Sequence, residues 1–119
     1  MQTHVKQINI AKAVNFIDTH CIMPLSLDEV ARESGMSKFY FARTFKSVTG
    51  TTFKNYHNHK RIEKAKNMFL QQKISITDVC FSIRFNDVSY FNRVFKKIEG
   101  TSPSCFKKRL IMDSRLLSK

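Results

Sequence analysis

Glycine and proline are scarce in this sequence: three and two in 119 residues. Folds built on many tight turns need more of both, and no run of alternating apolar and polar residues marks a strand. Long hydrophobic runs are missing too. No stretch approaches the ~18 apolar residues that span a bilayer, and Met1 to Lys12 lacks the apolar core of a signal peptide. The expected location is the cytoplasm. The three cysteines, Cys21, Cys80 and Cys105, form no CxxC or Cys-His pairing. Their odd number and wide spacing argue against a disulfide framework or a zinc site, and all three are expected as buried thiols in apolar stretches. Acidic residues are the last shortage. Nine Asp and Glu face 21 Lys and Arg, for a net charge of +12. Such a field attracts polyanions, nucleic acid first. Solubility alone needs less charge on so short a chain.

What is present is helical. Apolar residues make up 42% of the chain and recur mostly at helical spacing. The fold class is all-α, with about seven helices, enough for one domain or two very small ones sharing a seam. The first helix runs from about Ile8 to Ile22, with Ala11, Val14, Ile17 and Cys21 on one face. Ser26-Leu27-Asp28-Glu29 reads as a capping box for a short second helix ending near Ser34-Gly35. Ser37 caps a third, which carries Phe41, Phe45 and Val48 inward and stops at Gly50. A longer helix spans about Thr52 to Gln72. Ser75 and Asp78 start a fifth. Asp87 caps a sixth, with Phe91, Phe95 and Ile98 inward, ended by Gly100. Ser102-Pro103 opens a seventh.

The chain repeats itself. Displaced by 50 residues, Tyr40-Phe41-x-Arg43-x-Phe45-Lys46 falls on Tyr90-Phe91-x-Arg93-x-Phe95-Lys96, and Gly50-Thr51 falls on Gly100-Thr101. Seven of the fifteen positions from 37 to 51 match, where about one is expected by chance. Upstream the displacement is 49, pairing Val30 with Val79 and Glu29 with Asp78, so the second turn holds one extra residue. A short helix, a tight turn and a longer helix, used twice, is a doubled helix-turn-helix. A solenoid packed only for stability needs about three or more repeats.

Packing alone does not explain the opposite faces. With 41, 45 and 48 inward, Phe39, Ala42, Arg43 and Lys46 face outward. Ser89, Asn92, Arg93 and Lys96 hold that face in the second copy. Arg offers a bidentate fork to guanine, Asn can read adenine, Lys suits phosphate, and an exposed Phe suits a thymine methyl. A solvated or salt-bridged Arg is the plain alternative for either site. It weakens when both copies place Arg at one step.

At this point the chain resembles the AraC/XylS family of bacterial transcription regulators. Ile76 through Gly100-Thr101-Ser102-Pro103 is similar to that family's signature almost throughout. Leu25 through Gly35-Met36-Ser37-Lys38 and Arg43-Thr44-Phe45-Lys46 to Gly50 fits its companion motif. The likeness covers about residues 8 to 110. It implies two homeodomain-like helix-turn-helix subdomains, 1–50 and 74–112, joined by a linker helix over 51–73, with a tail at 113–119. It implies recognition helices at about 37–49 and 87–98 that read two adjacent major-groove segments of promoter DNA. Carried over position by position, base contacts fall to Phe39, Ala42, Arg43, Val88, Ser89, Asn92 and Arg93. Phosphate contacts fall to Lys38, Tyr40, Lys46, Lys96 and Lys97. Ala42 and Val88 are short or apolar where relatives often carry polar residues. Arg84 stands where the family usually has Gly in the second turn, and a positive φ there would strain it by about 1 kcal/mol. Phe106-Lys107 replaces the usual Tyr-Arg pair. The chain resembles the family's short MarA/SoxS-like members. They imply a monomeric transcription activator on DNA, with RNA polymerase as a second partner.

Other classes fit less well. An RNA-binding or general nucleic-acid-binding module shares the charge, but RNA readers display aromatics on a sheet or a GXXG loop. A membrane-surface protein sets its cations opposite one continuous apolar stripe, whereas the apolar positions here divide among short helices. For an enzyme, no nucleophile-base pair or metal set declares itself. No catalytic residue, cofactor or metal is expected. His57 and His59, two apart, do not share a helix face and read as solvated linker residues, with contact to phosphate as the alternative.

Overall fold

A computed structural model describes residues 2–71 and 73–117, with side chains described for 9–71 and 73–113. Seven helices follow in order: α1 (Gln2–Thr19), α2 (Leu27–Glu33), α3 (Lys38–Thr49), α4 (Phe53–Gln71), α5 (Ile76–Ser82), α6 (Val88–Glu99) and α7 (Pro103–Leu117). No strand occurs among the described residues. The chain divides between Lys60 and Arg61 into two compact units. Each repeats one plan: a longer helix, then a helix-turn-helix pair.

The helix ends are set by local chemistry. Ser26 Oγ accepts from the Glu29 amide, Ser37 Oγ from Tyr40, and Ser75 Oγ from Asp78. Each satisfies one of the orphan donors of a helix start. Asp87 Oδ1 accepts from both Ser89 and Tyr90 amides, at 2.8 and 3.4 Å. Gly50 and Gly100 close α3 and α6 with φ of +83° and +80°, the left-handed cap that an L-residue resists. The turns inside the pairs span residues 34–37 and 83–87, so the second is one longer, as the repeat implies.

The first unit is built on Ile10, Ala13, Ile17, Val30, Ala31, Phe41, Phe45 and Phe53. Phe45 is its hub, with ring centroids 5.5 Å from Phe41, 5.6 Å from Tyr56 and 6.4 Å from Phe53. Burying one such ring is worth about 2–3 kcal/mol. Two polar ties fix the start of α4 to the last turn of α1 and the turn that follows it. Tyr56 donates to Asp18 at 2.8 Å, and His57 Nε2 donates to the Cys21 carbonyl at 3.0 Å.

The second unit has its own core of Ile62, Ala65, Phe69, Val79, Cys80, Ile83, Phe85, Phe91, Val94 and Phe95. Phe95 meets Phe106 at 5.5 Å and Phe69 at 6.2 Å. Lys107 donates to the Ile74 carbonyl at 2.8 Å, and Lys66 pairs with Glu99 at 3.1 Å. Helix α4, expected as a linker, therefore contributes to both cores.

Several expectations are corrected. Helix α1 starts at Gln2 and ends at Thr19, short of Ile22. Its buried stripe is Ile10, Ala13 and Ile17, with Ala11 exposed; the spacing i, i+3, i+7 sets a different rotation from the one expected. Val48 is 43% exposed rather than inward, because the buried stripe of α3 is Phe41, Thr44 and Phe45, a turn before the helix end. Cys105 is exposed, while Cys21 and Cys80 are buried. His57 is 5% exposed and stacks on Phe53 at 5.8 Å, so it belongs to the core. Helix α7 continues to Leu117, past the expected end near 112. Gln72, the expected end of the long helix, and 118–119 of the expected tail lie outside the described residues.

Candidate nucleic-acid interface

Helices α3 and α6 each present a polar face set by the burial of the opposite one. On α3, Phe41, Thr44 and Phe45 point into the core of the first unit. That leaves Phe39, Arg43 and Lys46 exposed and Ala42 half-buried. Phe39 is 78% exposed, the most of the large apolar residues noted at the surface. On α6, Phe91, Val94 and Phe95 are buried, and Ser89, Asn92, Arg93 and Lys96 are exposed. Spacing of i, i+3, i+4, i+7 gathers each set on one side of its helix. Arg43 and Arg93 occupy the same step of the two faces.

The flanking candidates fall to the sides. At 100° per residue, Lys38 and Tyr40 lie about a quarter turn to either side of the α3 face, and Lys97 about a quarter turn from that of α6. Tyr40 is on the margin of exposure, at 37%. Lys38 reaches the Asp28 carboxylate at 3.9 Å, with both side chains largely in solvent. An exposed pair of that length contributes little and leaves the ammonium available. The Arg93 guanidinium sits 5.8 Å from the centroid of Tyr90, one turn before it on α6. Val88 is the candidate that departs from the face. It is half-buried and packs against the core of the second unit.

Two thiols have shifted pKa values. Burial pushes the Cys80 thiol up, with the Asp87 carboxylate adding to it and Arg61 opposing. Hydrogen bonds from the side chains of Ser102 and Thr101 pull Cys105, at the start of α7, below the usual thiol value. Among the described residues no group of His, Cys, Asp or Glu could hold a metal ion.

The sequence reading passes over Arg61 and sets His57 in solvent, yet both are buried, His57 at 5% and Arg61 at 8% exposure. A signal for them exists. Phe53, His57, Arg61, Ala65 and Phe69 fall at steps of four along α4, and all five are buried. Polar side chains on that stripe are interior ones.

The helix-turn-helix domain family matches residues 30–109. The regulatory protein SoxS of Escherichia coli K12 is 32% identical over 101 residues, covering 85% of this chain and 94% of that protein. An uncharacterised helix-turn-helix transcriptional regulator in the cgkA 5′ region of Pseudoalteromonas carrageenovora is 31% identical over 107 residues. That match takes in 90% of this chain and 63% of the relative, so the chain spans less than two thirds of its length. Among solved structures, the C-terminal domain of AraT, a response regulator from Geobacillus stearothermophilus, superposes with a TM-score of 0.80 at 26% identity. The superposition covers 85% of this chain and 84% of that one.

Proposed function

Since this chain belongs to the AraC-type helix-turn-helix family of DNA-binding transcription regulators, we propose that α3 and α6 each read one major-groove segment of a single duplex. The observation that carries this reading is the matched pair Arg43 and Arg93, both exposed at the same step of two repeated helices. Each offers its fork to a guanine edge. Phe39 and Ala42 supply apolar contact beside Arg43. Ser89 and Asn92 supply hydrogen bonds beside Arg93, and Val88 contributes its outer edge. Lys38, Tyr40, Lys46, Lys96 and Lys97 meet phosphates, which fixes the register of each helix without reading sequence.

Two reading helices in one chain do what two subunits do in a helix-turn-helix dimer. The protein therefore acts as a monomer on an asymmetric, two-part site about 10 base pairs from centre to centre. SoxS, its relative over nearly full length, is named a regulatory protein. By that likeness the chain is a transcription activator, and a monomer beside a promoter acts through a second contact, to RNA polymerase. It works in the cytoplasm, where the DNA is. No described helix is long and apolar enough to cross a membrane.

The test is selection of bound sequences from a random duplex pool, followed by insertion of five base pairs between the two recovered half-sites. The insertion turns one half-site away by about half a helical turn and is expected to abolish specific binding. Unchanged affinity after insertion would mean that a single helix reads bases.

A further inference from the structure

The two helix-turn-helix turns have nearly the same backbone built from different residues. In the first unit Gly35 has φ +71° and donates its amide to Arg32 at 3.1 Å, while Met36 donates to Ala31 at 3.0 Å. In the second, Arg84 has φ +65° and donates to Phe81 at 3.1 Å, while Phe85 donates to Cys80 at 3.0 Å. Arg84 is the one non-glycine with positive φ among the described residues. Its Cβ crowds the following carbonyl, a cost that Gly35 does not meet. Such strain persists where the surroundings over-determine the conformation.

Arg61 supplies those surroundings. It lies in α4, is 8% exposed, and sends both Nε and Nη2 to the Ile83 carbonyl, at 3.2 and 2.9 Å. That carbonyl belongs to the residue closing α5, among the orphan acceptors of a helix end. The same guanidinium lies 3.7 Å from the centroid of the Phe85 ring, within cation–π reach. Arg61 thus grips the residue before Arg84 and the residue after it. Phe85 in turn packs on α6, with ring centroids 5.3 Å from Phe91 and 5.8 Å from Tyr90.

The first unit offers a comparison within the same chain. Setting the buried Ile10, Ala13 and Ile17 on Ile62, Ala65 and Phe69 places Asn9 where Arg61 stands. The strained turn has the long, charged guanidinium fork. The relaxed glycine turn has a short, neutral carboxamide at that step. We infer that Arg61 is a positioning residue, a clamp that holds the left-handed turn at Arg84 and through Phe85 sets the angle at which α6 meets DNA. This rests on the proposed reading of α6 as a DNA-reading helix.

Four proteins test it: wild type, Arg61→Met, Arg84→Gly and the double variant, all full length. The probe is the duplex selected by the wild type from a random pool. Loss of a buried charge-assisted pair is expected to weaken Arg61→Met roughly tenfold on that duplex. Protection should fall over the half-site read by α6 and persist over the half-site read by α3. Relieving the strain with Arg84→Gly should restore most of the loss in the double variant and raise Tm more there than in wild type. Should Arg61→Met fail to fold, Arg61→Lys, which keeps the charge but not the fork, takes its place in the same comparison. Equal Tm gains from Arg84→Gly in both backgrounds overturn the clamp, as does uniform loss of protection over both half-sites. A wild type that selects no sequence at all refutes the DNA reading instead, while the Tm comparison still decides the clamp.

Discussion

At the scale of single residues, Arg43 and Arg93 share a step in the repeat, and the Arg93 guanidinium lies 5.8 Å from the centroid of Tyr90. Arg43→Ala and Arg93→Ala are each expected to cost about 1–3 kcal/mol on the selected duplex and to relax preference at one guanine. Fluorescence anisotropy on selected and random duplexes measures this. Equal weakening on both would make these residues phosphate contacts. The cysteines divide as sharply. A thiol whose pKa is lowered carries more thiolate at any pH below that value, and thiolate is the reactive form. Cys105 is exposed with its pKa lowered, whereas Cys80 is buried with its pKa raised. Iodoacetamide at neutral pH is therefore expected to modify Cys105 well before Cys21 or Cys80 in peptide mass spectrometry. Equal rates at all three thiols would contradict the burial of the other two.

At the scale of helices, α6 is held by a ring at its centre. Phe95 is fully buried between Phe69, Phe91 and Phe106. Phe95→Ala is expected to destabilise by about 3–5 kcal/mol, the sum of lost transfer energy and the cavity left behind. A melting temperature within a degree of wild type would contradict the packing. Phe95 was legible in the sequence, and so were the caps at Ser26, Ser37, Ser75 and Asp87. A cap is decided within about four residues, and a repeat fixes which face is inward. What was not legible depends on partners distant in the chain. His57 is interior because the Cys21 carbonyl, 36 residues away, accepts its ring N–H. Arg61 is interior because Ile83, 22 residues on, takes two of its donors. Val48 fits the inward stripe by spacing, but its turn lies at the end of α3, where spacing cannot tell whether a neighbour covers it. The rotation of α1 failed for a related reason: Ala11 and Ala13 are equally apolar, and packing selected the second. In the candidate site, Arg43, Arg93, Ser89 and Asn92 were placed on exposed faces from the sequence, whereas the packing of Val88 against the core was not foreseen.

At the scale of the whole molecule, charge governs affinity. With a net charge of +12, and about 6–10 phosphate contacts, binding is expected to weaken roughly 10³–10⁵-fold between 50 and 200 mM salt. A titration of the selected duplex across that range checks it, and a nearly flat response would remove the electrostatic footprint. The two separate cores carry a consequence of another kind. Phe39 stands on a helix rooted in Phe41 and Phe45, while Asn92 stands on one rooted in Phe91 and Phe95. Substitutions at sites that share no packing partners add nearly independently. On the proposed reading, a substitution at Phe39 is expected to change preference over the half-site read by α3 and to leave that over the half-site read by α6 in place. A promoter changed at a single base within one half-site loses about 1–3 kcal/mol rather than all specific binding, so on that reading a set of target promoters is rewired one base of one half-site at a time.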